Sequence, residues 1–134
     1  MAPSFLHSTS PILYNFAGVM IAMPLGLGLA GLINPANGFK LFNFGVPNNS
    51  EARKLGTNMM LFWVSRDLFM AAVSAAAWLN GDRKTLGWTY LAGCGVAISD
   101  GIMSQRQIEK DAWKHVMWLP VIISIAGGLL GWWD

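Results

Sequence analysis

Three ionisable side chains stand inside stretches that otherwise suit lipid: Arg66 and Asp67 in TNMMLFWVSRDLFMAAVSAAAWL, and Asp100 in WTYLAGCGVAISDGIM. A charge at bilayer depth costs at least ~2.5–3.5 kcal/mol on insertion scales, so such groups are by default candidates for function. In a low dielectric, two carboxylates beside a guanidinium can hold different protonation states, because desolvation and a nearby cation act on a carboxyl in opposite senses. One acid then gives a proton while the other takes one. That division of labour is what opening an epoxide requires. The acid protonates the departing oxygen, and the base takes a proton from water, giving a diol, or from a hydroxyl of the substrate, giving a cyclic ether.

Depth decides which of these groups can meet. At ~1.5 Å per residue, Arg66 lies about 14 Å along its helix from the side that holds loops one and three, and Asp100 about 5 Å from the same side. His115 enters the last apolar run about three residues from that side and stands nearly level with Asp100. His7 falls on the opposite side, so the two histidines do not form a haem pair, and a lone histidine makes no metal site. No metal or cofactor is called for. Adjacent residues on a helix point about 100° apart, so Arg66 and Asp67 are not expected to pair face to face as i and i+4 neighbours do. Both can border one interhelical cavity if Arg66 reaches toward Asp100 while Asp67 lines the next wall. The face around Asp67 adds Trp63, Met70, Ser74 and Trp78, giving an apolar chamber with a polar floor for a greasy ligand bearing one or two oxygens. The expected catalytic set is Asp100, Arg66 and Asp67, with Trp63, Met70, Ser74 and His115 binding substrate. Asp100, nearer the interface and easier to hydrate, is assigned the base and Asp67 the acid. The competing reading is a neutralising network that only holds helices together, although a buried ion pair is a poor way to gain stability.

The elements that must carry these residues follow from composition. Of 134 residues, 54% are hydrophobic and only 12% charged, against roughly 25% charged in soluble domains, and the mean hydropathy is +0.43. Four apolar runs, approximately 12–33, 57–79, 86–103 and 112–133, each approach the ~20 residues a membrane-crossing helix needs. The expectation is therefore an all-α fold, a four-helix transmembrane bundle forming one integral membrane domain over residues 1–134. Ser10-Pro11 starts the first helix, Asn34-Pro35 stops it, and Pro24 should interrupt it. Ser50 is expected to cap the second helix, with Glu51 placed favourably against its dipole, and Asn80-Gly81 to end it. Gly18, Ala22, Gly26 and Ala30 recur every four residues, and Gly93, Ala97 and Gly101 repeat the device. Such stripes let helices approach closely in lipid and also suit self-association into a homo-oligomer. The connection PANGFKLFNFGVPNNSEARKLG carries Phe39, Leu41, Phe42, Phe44 and Val46, enough to lie at the interface or to cap a cavity. Cys94 is alone and reads as a packing residue. The N-terminus lacks the basic region of a signal peptide, so the first span is read as retained. Lys40, Arg53, Lys54, Arg106, Lys110 and Lys114 fall on one side and Arg83 and Lys84 on the other, which puts loops one and three in the cytosol. Basic residues in ones and twos at helix ends give no nucleic-acid surface. The expected partners are a lipophilic small-molecule substrate and membrane lipid.

The Asp–Arg–Asp set resembles that of limonene-type epoxide hydrolases, which are soluble α+β proteins, so the likeness is one of chemistry alone. Over roughly residues 12–133, the S-R-D-L of the second run, the G-D-R-K-T-L-G-W turn and the following I-S-D-G resemble a family of small fungal four-span membrane proteins of uncharacterised-domain type. Its members accompany polyketide and terpenoid pathways, and some are assigned as membrane epoxide hydrolases or cyclases. That resemblance implies an enzyme of the endoplasmic reticulum membrane acting on a lipophilic oxygenated secondary metabolite through Arg66, Asp67 and Asp100. Two other readings stand beside it: a cofactor-free membrane oxygenase of the anthrone-oxygenase type, and a non-enzymatic membrane carrier or scaffold.

Overall fold

A computed structural model describes residues 4–134. After a 3-10 turn at Ser4–Leu6, the chain forms α1 (Pro11–Met20), α2 (Ala22–Ile33), α3 (Ala36–Leu41), α4 (Ser50–Leu79), α5 (Arg83–Ile108), α6 (Ala112–Val116) and α7 (Leu119–Leu130). Among the described residues there is no strand, and the elements fit a helical bundle.

Prolines set two of the helix breaks. A helical proline supplies no N–H to the carbonyl four residues back and its ring clashes there. For Pro24 that residue is Met20, where α1 stops, and for Pro120 it is Val116, where α6 stops. The first expected span is thus interrupted at Ile21 and the fourth between Val116 and Leu119. Ser10 caps α1 as expected, its Oγ accepting from the Leu13 N–H at 3.3 Å. At α4 the expected cap moves by one residue. Asn49, not Ser50, receives the Glu51 and Ala52 N–H groups on its Oδ1, at 2.8 and 3.3 Å, because Ser50 is already the first helical residue and the capping oxygen comes from the residue just before it. Gly81, with φ of +73°, ends α4. There the Gly81 N–H bonds to the Trp78 carbonyl and the Asp82 N–H to that of Ala77, so two last-turn carbonyls are satisfied. Asp82 then caps α5 by accepting from the Thr85 N–H at 2.9 Å, and the bonds from Thr85 hold its carboxyl below the usual carboxylate range.

Three helical stretches are long and apolar enough to cross a membrane: Pro11–Ile33, Ser50–Leu79 and Ala112–Leu130. This fits a membrane protein. The segment expected as the third of four crossings lies in α5, which is long enough at 26 residues but is not one of the three. Glycines, hydroxyl residues and Asp100 dilute its aliphatic content.

The chain divides into two compact units, one comprising the residues up to Ile21 together with Ala72–Asp134, the other Ala22–Ala71. In the first, α5 runs along α7 and α6, and Leu13, Ala17, Ala77, Leu86, Ile125 and Leu129 form a buried cluster. Arg83, counted from sequence only as a loop cation, is a clip. Its Nη1 donates to the Ser8 and Ser10 carbonyls at 2.8 and 3.0 Å, and its guanidinium lies 4.4 Å over the Tyr14 ring. In the second unit, Gly28 and Gly31 let α2 approach Leu68 and Val64 of α4, while Phe39 reaches Gly56.

Candidate functional site

α4 buries Met60, Val64, Asp67, Ala71, Ser74 and Ala77. Each follows the one before by three or four residues, the periodicity of one helical face. Asp67 occupies a position in that face that would otherwise be apolar, and it is only 7% exposed. Arg66, at the margin of the face, neutralises it. Nε and Nη2 of Arg66 both donate to Asp67 Oδ1, at 3.3 and 3.1 Å.

This pairing is not the face-to-face contact of i and i+4 neighbours, which adjacent residues were not expected to make, but a side-on one. The 100° separation describes where side chains start. A long guanidinium arm bends around the helix to a short carboxylate beside it, and both nitrogens converge on one oxygen. The arm also passes Trp63 one turn earlier, with its guanidinium carbon 5.9 Å from the ring centroid, a cation–π contact.

The connection before α4 completes this part of the site. Phe39 and Phe42 are buried, whereas Leu41 and Val46 are half exposed. Phe42 stacks on Phe44 at 5.3 Å between centroids and meets Trp63 edge-on at 4.9 Å. The second unit thus carries a continuous series, Phe44–Phe42–Trp63–Arg66–Asp67, running from aromatic to ionic. Met70, half-buried, lies one turn beyond Arg66 on the same helix.

The first unit holds the remaining expected residues. Ser74 is buried. Trp78, expected to extend the face around Asp67, instead occupies the space left by Gly18 and lies beside Tyr14, whose hydroxyl donates to the Trp78 carbonyl. Asp100 is half-buried on α5. Next to it, Gly101 admits α6. A Cβ there would stand 3.3 Å from the Ala112 carbonyl and from Val116.

That close approach creates a contact that sequence reasoning missed. Ser104 Oγ and His115 Nε2 are 3.0 Å apart, and Ser104 is 1% exposed. Ser65, Thr89, Ser99 and Ser124 each return their hydroxyl to a carbonyl of their own helix. Ser104 spends its hydroxyl on an imidazole of the next helix. The available signal was its spacing, one turn after Asp100 and hence on the same side of α5. Among the described residues no group of three or more His, Cys, Asp or Glu is placed to hold a metal ion.

The class these features define is an all-helical protein with membrane-compatible helices, carrying on one of them a buried acid paired with a part-exposed guanidinium. Residues 22–133 match the family described as a domain of unknown function (DUF4267), and the chain belongs to that family. Neither a curated protein nor a solved structure matches it.

Proposed function

We propose that the protein is a membrane-embedded acid/base enzyme that opens an epoxide on a lipophilic oxygenated metabolite, by hydrolysis or by cyclisation to a cyclic ether, without a cofactor. One observation carries the reading: a carboxylate 7% exposed within a helix fit to cross a membrane, with a guanidinium on its Oδ1 at 3.1 Å. Such a pair gains little stability over an apolar replacement, while its proton-transfer chemistry gains from a dry surrounding. In this reading one of Asp67 and Asp100 protonates the leaving oxygen and the other takes the proton of the attacking hydroxyl or water, while Arg66 steadies the developing charge. Trp63, Met70, Ser74 and His115 hold the substrate. The setting proposed is the endoplasmic reticulum membrane of a polyketide- or terpenoid-producing fungus, with loops one and three in the cytosol and self-association through small-residue faces.

The test is conversion of a lipophilic epoxide by protein in lipid nanodiscs containing ¹⁸O-labelled water. Hydrolysis puts one ¹⁸O into the diol, cyclisation puts none into the ether, and neither consumes dioxygen. Dioxygen uptake coupled to product would instead identify an oxygenase. No conversion across a panel of epoxides would favour a carrier or scaffold.

A further inference from the structure

Besides the Arg66–Asp67 pair, the second unit holds four charged side chains, Lys40, Glu51, Arg53 and Lys54, all of them exposed. Among the described residues none of the three cations makes an ion pair. The packing of the unit gathers them at one end. α3 lies on α4 through Gly38, where Met60 takes the place of a side chain, and through Phe39, which meets Gly56. Nearer the start of α4, Arg53 Nε donates to the Pro47 carbonyl at 3.0 Å. Arg53, Gly56 and Met60 share one side of the helix, and at ~1.5 Å per residue Gly56 lies only about 4.5 Å beyond Arg53. Lys40 follows Phe39 and Lys54 follows Arg53, so the three cations meet there with Glu51 as the only acid.

This end of α4 has a second property. The helix is apolar enough to cross a membrane, so its charged first turns stand where an apolar run gives way to headgroups, and the positive end of its dipole adds to their field. Phe39 and Phe42, both buried, hold the connection against α4, while Leu41 and Val46 are each 50% exposed. Exposed apolar residues beside cations at headgroup level are the composition that binds an anionic bilayer surface. The other basic end, where α5 turns into α6, is balanced instead. Lys110 falls between Glu109 and Asp111 in the chain, and Lys114 bonds Asp111 Oδ1 at 2.9 Å.

We infer that residues 36–54 form a docking surface for anionic phospholipid, whose headgroup phosphate lies among Lys40, Arg53 and Lys54 while Leu41 and Val46 enter the acyl boundary. The surface is independent of the reaction proposed above, because none of these residues belongs to the proposed catalytic or substrate-binding set.

The test is native mass spectrometry of the full chain in detergent, titrated with equimolar phosphatidylglycerol and phosphatidylcholine of identical acyl chains. A basic residue close to an anionic headgroup layer contributes about 5-fold, and three cations less one acid leave two net charges, so phosphatidylglycerol should be retained about 25-fold over phosphatidylcholine. Lys40→Gln combined with Lys54→Gln breaks no ion pair and cancels the net charge, and should bring that ratio to about one. Arg106→Gln with Lys110→Gln, at the balanced end, should leave it as in the wild type. The unmodified protein gives an independent reading. In nanodiscs the amides of residues 41–46 should exchange more slowly in phosphatidylglycerol than in phosphatidylcholine, with no such change in the turn between α5 and α6. Equal retention of the two lipids, a preference that survives loss of both lysines or is lost equally at the α5 end, or displacement of the lipid by inorganic phosphate at constant ionic strength overturns the inference. Lipid preference and epoxide turnover are read separately, so either proposal can fail while the other stands.

Discussion

Arg66 and Asp67 show how much of a site one side chain's reach can decide. Sequence spacing locates both in an apolar run, but the angular rule for helix neighbours compares side-chain directions at the backbone and is silent about a flexible arm returning to the adjacent residue. Ser104 was illegible for a related reason. Its value lies in facing His115, and nothing in the α5 sequence states which residue of α6 will stand opposite. The pair makes a stability prediction with a sign. Arg66→Ala takes the guanidinium away from a 7% exposed carboxylate, whereas Asp67→Asn keeps a hydrogen-bonding amide beside a guanidinium whose side chain is 30% exposed to solvent. Arg66→Ala should therefore be the more damaging, by on the order of 1–3 kcal/mol, measured as the shift in unfolding on sodium dodecyl sulfate titration of the detergent-solubilised protein. Equal stabilities would mean that the charge on Asp67 is not held by Arg66.

The helices were the most legible part of the chain, because their signals are local. Ser10-Pro11, Asn34-Pro35 and Asn80-Gly81 mark ends where the helices end, and Pro24 breaks its helix by removing support from Met20. Pro120 acts in the same way on Val116, so the last apolar run is two helices. Legibility failed where partners matter. The choice of Asn49 over Ser50 as cap depends on which of two capping residues is the last outside the helix, and α5 is too rich in glycine and polar residues to be judged a crossing by composition. Its glycines differ in consequence. A side chain at Gly128 of α7 meets the Leu6 carbonyl and Leu13, while one at Gly95 of α5 meets nothing within 4 Å. Gly128→Ala should cost about 1–3 kcal/mol through overpacking, and Gly95→Ala should cost nothing and gain up to about 1 kcal/mol from helix propensity. The same detergent titration checks both, and similar costs would contradict the packing described for Leu6 and α7.

Apolar composition made the all-helical class readable from sequence, whereas the division into two units was not, since it reflects which helices share contacts far apart in the chain. One long-range tie joins the described N-terminal segment to the last residue. Asp134 accepts from the Ser8 N–H at 2.7 Å and from its hydroxyl at 2.6 Å, and these bonds hold its carboxyl below the usual carboxylate range. A carboxyl with a lowered folded-state pKa stabilises fully above its unfolded value, and loses that contribution as pH falls through the folded one. The clasp should therefore be intact at neutral pH and open in acid, below the usual carboxylate range. Amide exchange at Ser8 should rise there relative to neighbouring amides, and Asp134→Asn should remove most of that pH dependence. A Ser8 amide indifferent to acid in the wild type would contradict it.

The proposed chemistry requires both Asp67 and Asp100, and the most direct measurement is product formation from a lipophilic epoxide by wild-type, Asp67→Asn and Asp100→Asn protein in nanodiscs. Loss of a positioned general acid or base lowers a rate by roughly 10²–10⁴, so each variant, folded and inserted as the wild type is, should lose at least about 100-fold. Wild-type turnover by a folded Asp67→Asn or Asp100→Asn protein would contradict the proposal.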